Sequence, residues 1–392
     1  MLIDQLIGLL NREIEPGSIK EWYPLIHIAQ QHNVHAWLYR IIKDKEGIDP
    51  DCFNLLKKYA ERTIGSSITH LSLARNLNKT LSSVGINPIF LKGMDLILRG
   101  YIPFSERPLA DIDVLILEKN WQNAIDILLS NGYTYDEKYL NEYPKGFIER
   151  YGSNMPLYYD KLQVELIRSP LTMMAYRRLT GWDYDAWEGD LIKVNVQGME
   201  YTLPGRVQSL IYIIIHSLID HNQLRLIWLR DMYSCIHEPD FPWDSLIKTC
   251  YEYHLRKPVF LALSFLNLIF KAHIDDKILK AFKIKMEIQE LEGLKTSLLN
   301  NVLHGESEIR HKSFAFMLDS RLDFIRFSLY HLFPSIDYLK ARYDLPYYKL
   351  PLAYLKRILS PFGFFHKTGE IRHIIKEEKV LAVFRDDIIP KS

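Results

Sequence analysis

Asn87-Pro88-Ile89-Phe90-Leu91-Lys92-Gly93, followed after Arg107 by Asp111-Ile112-Asp113-Val114-Leu115-Ile116-Leu117, is the stretch that decides the fold. The apolar run before Lys92 predicts a short strand, and Gly93 predicts a sharp turn into a helix over Met94–Tyr101. A second strand, over Ala110–Leu117, would carry the carboxylates of Asp111 and Asp113. Side chains alternate along a strand, so these two acids share one face. Two carboxylates held that close repel each other and require a compensating cation. A hard divalent ion, Mg2+ or Mn2+, binds through carboxylate and phosphate oxygens and meets that requirement.

Downstream, Trp121–Ser130 reads as an amphipathic helix closed by Asn131-Gly132. Tyr133–Tyr135, Leu157–Tyr159 and Gln163–Ile167 read as strands, with a polar, tyrosine-rich loop from Lys138 to Asn154 between the first two. Glu165 stands between Val164 and Leu166, and an isolated acid in such a strand is expensive to bury without a partner. It is therefore the natural third carboxylate beside Asp111 and Asp113. Lys193–Leu203 alternates around Gln197-Gly198 and predicts a hairpin. Strand, helix, strand, strand implies an α+β fold in which a small mixed sheet is covered by helices.

Helical spacing dominates on both sides of this core. Residues 1–84 predict about four helices, 85–205 the α/β core with its hairpin, and 206–392 a C-terminal helical domain. The final segment, Phe362–Ser392, carries no assignable pattern. His27, His32 and His35 lie close together but lack the companion Cys or carboxylate pattern of a metal site, so they read as ordinary helix and loop histidines. In the C-terminal part, His216 and Asp231 are candidates for lining a pocket; Asp231 has the alternative of pairing with Arg225 or Arg230. His221 reads as a solvated loop residue. Lys92 and Arg107 can contact phosphate oxygens, although Lys92 could equally be a solvated turn residue and Arg107 a partner of Asp111 or Asp113.

Composition narrows the function classes. A net charge of +1 argues against a protein that coats nucleic acid, and no extended nucleic-acid surface is evident. Three dispersed cysteines, Cys52, Cys235 and Cys250, offer neither a disulfide framework nor zinc spacing and fit a reducing cytoplasm. The N-terminus lacks the order of a signal peptide, and the longest apolar runs, Leu210–Ile215 and Val259–Phe270, are too short for a transmembrane segment.

Leu91-Lys92-Gly93, Arg107, Asp111-Ile112-Asp113 and Val164-Glu165-Leu166 together resemble the nucleotidyltransferase superfamily, in particular its branch of uncharacterised bacterial nucleotidyltransferases. Tyr201-Thr202-Leu203-Pro204, His216 and Arg225-Leu226-Ile227-Trp228-Leu229-Arg230-Asp231 are similar to the helical segment that comes after the core in that branch. The resemblance runs from about Ile86 to Ile236. It implies Asp111 and Asp113 as catalytic metal ligands and Glu165 as the third catalytic carboxylate, serving as metal ligand or as base. Gly93 would be the turn glycine beside the triphosphate, whose oxygens would meet backbone N–H groups at the helix start. The implied activity is metal-dependent transfer of a nucleoside monophosphate from a nucleoside triphosphate such as ATP to an acceptor hydroxyl or phosphate. Three departures stand out. Met94 comes directly after the turn glycine where the superfamily usually has Ser or Gly, the separation from Gly93 to Asp111 is longer than in the minimal motif, and Ile167 stands where the branch commonly has His. The first motivates an alternative, a catalytically silent nucleotide-binding scaffold or regulator.

Overall fold

The computed structural model describes residues 2–359, except 138–139, 141–144, 305–316 and 344–345. The unassigned segment Phe362–Ser392 lies outside the described residues.

Among the described residues one sheet of seven strands holds the centre: β1 (Ile89–Phe90), β2 (Asp111–Leu115), β3 (Thr134–Tyr135), β4 (Asn154–Tyr159), β5 (Leu162–Ile167), β6 (Ile192–Val196) and β7 (Met199–Leu203). Their order is β3-β4-β5-β2-β1-β7-β6. The sheet is mixed: β2 runs parallel to β5, and β1 parallel to β7, while β1 and β2 are antiparallel. The fold is therefore α+β, as the element order implied. The predicted hairpin forms as β6 and β7, turning at Gln197-Gly198 with both residues at positive φ, and it extends the same sheet beyond β1.

Four helices precede the sheet, at Leu2–Leu10, Trp22–Gln31, His35–Ile42 and Pro50–Ser82. Asp49 starts the long one, its carboxylate accepting from the backbone N–H groups of Asp51 and Cys52, with Pro50 at the first helical position. Within the stretch read as a polar loop the chain forms a helix, Lys145–Tyr151. Its Phe147 is buried and packs at 5.4 Å against Tyr338, which supplies the apolar partner that local sequence does not reveal.

Strand alternation divides the core. Ile112, Val114, Val164 and Leu166 face one side and pack with Leu73, Leu77, Leu81 and Leu128 from two helices. Leu115, Ile167, Ile89 and Leu91 belong to a second core, shared with the N-terminal helices and with Arg206–Ile215, Leu226–His237 and Arg256–Phe270. Asp111, Asp113 and Glu165 have the parity of Leu115 and Ile167. The acids thus lie on the face covered by the C-terminal helices. Among the described residues no helix is long and apolar enough to cross a membrane.

Candidate metal and nucleotide site

The three predicted carboxylates converge because of strand register. Asp113 and Glu165 are direct partners across the parallel β2–β5 pair, and Asp111 is two residues along on the same face. A ligand oxygen from each of the three lies within 4.8 Å of the others. Burial, reinforced by Asp113, raises Asp111 to about 6; burial, partly offset by Lys92, raises Asp113 to about 6. Asn154 donates a hydrogen bond to Glu165 and fixes its orientation.

Lys92 is the cation placed among them, its Nζ 2.6 Å from Asp113 Oδ1. Burial works against its charge, but the fields of Asp113, Asp111 and Glu165 outweigh that and hold the ammonium above its usual range. The solvated reading of Lys92 is thereby excluded. Three acids still face a single lysine. The donor set consists entirely of carboxylate oxygens, which suits a hard divalent ion.

The turn before this site differs from expectation. The left-handed residue is Lys92, at φ 51°, and the helix begins there, at Lys92–Leu98, with Gly93 inside its first turn. Gly93 makes a close approach to two side chains: a Cβ would sit 2.8 Å from Leu109 Cδ2 and 3.0 Å from Arg107 Cζ, and Arg107 is held in place by Asp231. Met94 points into the sheet core, 1% exposed. Its side chain leaves the site to the Lys92-Gly93 backbone.

Arg107 pairs with neither Asp111 nor Asp113. Its Nε donates to both oxygens of Asp231, at 2.9 and 3.1 Å, and its Nη2 donates to Oδ2 at 2.8 Å. Asp231 correspondingly takes neither Arg225 nor Arg230. Arg230 instead binds Glu106, which also accepts from Arg40 at 2.5 Å. Two neighbours in the loop before β2 thus grip two neighbours on the helix Leu226–His237, with the charges exchanged. Asp231 is fully buried, and burial raises its carboxyl even against the pull of Arg107. It reaches the site through Arg107, which lies over Gly93.

His216 begins a π-turn, His216–Asp220, that continues the helix Arg206–Ile215. Burial and the charges of Lys92 and, more weakly, Arg107 drive its imidazole well below its usual basicity, so it is neutral beside the site. His221 packs against His216, with ring centroids 4.4 Å apart, and so is no solvated loop residue.

Three further residues face this region and escaped the sequence reading. Asp220 is buried, accepts from Thr172 Oγ1 at 2.5 Å and is raised by burial to about 6. Tyr212 is pushed well above its usual value by burial and then by Asp113, Glu165, Asp220 and Asp111. His70, on the helix Pro50–Ser82, sits close enough to Asp111 for its charge to pull that carboxyl down. Asp220 carried the signal that exposed Glu165, an acid closing an apolar run. His32 accepts from the Leu226 N–H through Nδ1, and His35 Nε2 meets the Thr63 hydroxyl, in keeping with structural histidines.

A mixed sheet under helices, with parallel neighbours presenting three carboxylates next to a strand-turn-helix unit, places the protein in the nucleotidyltransferase class. The family model described as uncharacterised nucleotidyltransferase matches residues 18–271. The chain belongs to that family. The match takes in most of the N-terminal helices and the helices through Phe270, a wider span than Ile86 to Ile236. No curated protein matches the chain.

Proposed function

We propose that the protein is a metal-dependent nucleotidyltransferase that moves a nucleoside monophosphate from a nucleoside triphosphate to an acceptor hydroxyl or phosphate. The observation that carries this reading is the convergence of Asp111, Asp113 and Glu165 within 4.8 Å, opposed by one lysine. Asp111, Asp113 and Glu165 would hold Mg2+ or Mn2+. When bound, such an ion neutralises charge on the triphosphate and activates the attacking oxygen. The chain's own residues supply the rest. Lys92 exchanges part of its contact with Asp113 for phosphate oxygens, and its elevated basicity keeps it charged throughout. Arg107, anchored by Asp231, holds the Lys92-Gly93 turn in place and presents positive charge on the phosphate side. The helices over this face of the sheet exclude water and strengthen each electrostatic contact.

The test is Mg2+-dependent pyrophosphate release from ATP, CTP, GTP and UTP over a panel of hydroxyl and phosphate acceptors. Turnover that Asp111→Ala plus Asp113→Ala abolishes supports the reading, and equal turnover in the double variant removes it. A second reading, a silent nucleotide-binding scaffold, draws on the Lys92–Asp113 contact, in which a lysine of the chain itself occupies a ligand carboxylate. Tight triphosphate binding without pyrophosphate release over the whole panel would favour it.

A further inference from the structure

The π-turn at His216–Asp220 brings together a group of flat side chains that the metal chemistry does not use. Ring centroids of His216 and His221 lie 5.0 and 5.2 Å from that of Trp228, and the Arg225 guanidinium stands over the indole at 5.0 Å. Both histidines are half-buried, so each keeps some solvent access beside a covered indole. A π-turn inserts one extra residue into a helix and re-aims the residues after it, a device common at ligand sites.

The position of the group relates it to the phosphate side. The fields of Lys92 and Arg107 reach His216. Trp228 lies one turn before Asp231, the residue that anchors Arg107 over Gly93. The aromatic group therefore adjoins the elements that hold Lys92 and Arg107.

An independent observation comes from Asn222, next to His221. The residue is 6% exposed, and neither its Nδ2 nor its Oδ1 has a hydrogen-bond partner among the described residues. A buried amide left with both a donor and an acceptor unused is rare in a folded protein and calls for a complement. The edge of a nucleobase, which offers a donor next to an acceptor, supplies one.

We propose that His216, His221, Trp228 and Arg225 form the platform on which the base of the nucleoside triphosphate stacks, and that the buried amide of the adjacent Asn222 meets its edge once the base is seated. The proposal rests on the nucleotidyltransferase reading, because it takes the phosphates to lie at Lys92. Stacking on aromatic and guanidinium planes tolerates any base, so the amide, not the platform, sets the preference among the four bases.

Calorimetric titration of the full-length protein with Mg2+ plus inorganic tripolyphosphate, and with Mg2+ plus each of the four nucleoside triphosphates, separates base from phosphates. At least one nucleoside triphosphate is expected to bind tenfold or more tightly than tripolyphosphate. In His221→Ala and in Arg225→Ala that margin should shrink to under threefold while tripolyphosphate affinity stays unchanged, each variant first shown to unfold cooperatively. A margin that persists in both variants overturns the platform. So does a wild type that binds tripolyphosphate as tightly as every nucleotide, and this leaves the phosphate-side reading standing. Failure of wild type to bind tripolyphosphate at all overturns that reading and the platform with it.

Discussion

Two buried clusters of charge flank the loop before β2, and they are balanced in opposite ways. In the clamp, Glu106 and Asp231 meet Arg230 and Arg107 one to one, with Arg40 adding a third guanidinium at the half-open rim. In the site, Lys92 is the one cation ion-paired to Asp111, Asp113 and Glu165 among the described residues, with Arg107 and His70 acting more weakly on Asp111. Burying an unpaired charge is costly, so structural ion pairs are neutralised by the chain itself. A cluster left deficient in positive charge on a covered face is one whose counter-charge comes from outside. The difference separates a device for holding elements together from a device for binding.

The first way to break this comparison, and the largest effect expected, is to remove the deficient cluster. Asp111→Ala plus Asp113→Ala should lower pyrophosphate release by a factor of about 10³ or more. Thermal unfolding of the metal-free variant should be little impaired, since the change relieves repulsion between buried acids while Glu165 stays to face the Lys92 ammonium. A large loss of stability would show the acids to be structural after all.

Asp231→Ala should do the reverse. It leaves the Arg107 guanidinium buried without its partner and should destabilise the fold by about 3–5 kcal/mol in denaturant unfolding. Replacing the pair together, Arg107→Met with Asp231→Leu, should recover most of that loss. If Asp231→Ala costs no more than a surface substitution, the clamp is not the structural half of the comparison.

An effect that appears only in acid is expected from His32 and His35, on the N-terminal side. Burial, aided by Arg225, lowers His32 to about 4, and burial lowers His35 to about 4. The unfolded chain takes up protons below the ordinary value of 6.5, which the folded chain resists until about 4. Stability from these groups is therefore fully present above pH 6.5 and drains away as pH falls toward 4, by about 3 kcal/mol for each histidine. His32 also accepts from the N–H of Leu226, at the start of the helix carrying Arg230 and Asp231, so acid should loosen the clamp side. Urea midpoints at pH 7 and pH 4.5 test this, and His32→Gln plus His35→Gln should flatten the difference. An unchanged pH dependence in that variant would dismiss the histidines.

The site's acids were legible in the sequence for a geometric reason. Period-two alternation fixes Asp111 and Asp113 on one face whatever surrounds them, and Glu165 was exposed by its apolar neighbours. The helix Trp121–Ser130 and the Gln197-Gly198 hairpin were legible because their signals are local. Pairings across the fold were not. Arg107 and Asp231 are 124 positions apart, and nothing local distinguishes Asp231 as a partner from Asp111 four residues away. The role of Gly93 was misread for a similar reason, since what crowds a Cβ there is the Leu109 side chain together with that of Arg107, which the distant pairing with Asp231 brings in. The π-turn, and with it the meeting of His216, His221 and Trp228, depends on one extra residue in a helical turn that apolar spacing does not register.

The most direct measurement of the central claim, that the acids await a divalent cation, is calorimetric titration with Mn2+ in the presence of a non-hydrolysable nucleoside triphosphate. Wild type should bind the ion in the ternary complex, and Asp111→Asn plus Asp113→Asn should show no such binding while keeping the wild-type fold by circular dichroism. Equal Mn2+ binding by the two proteins would contradict the account.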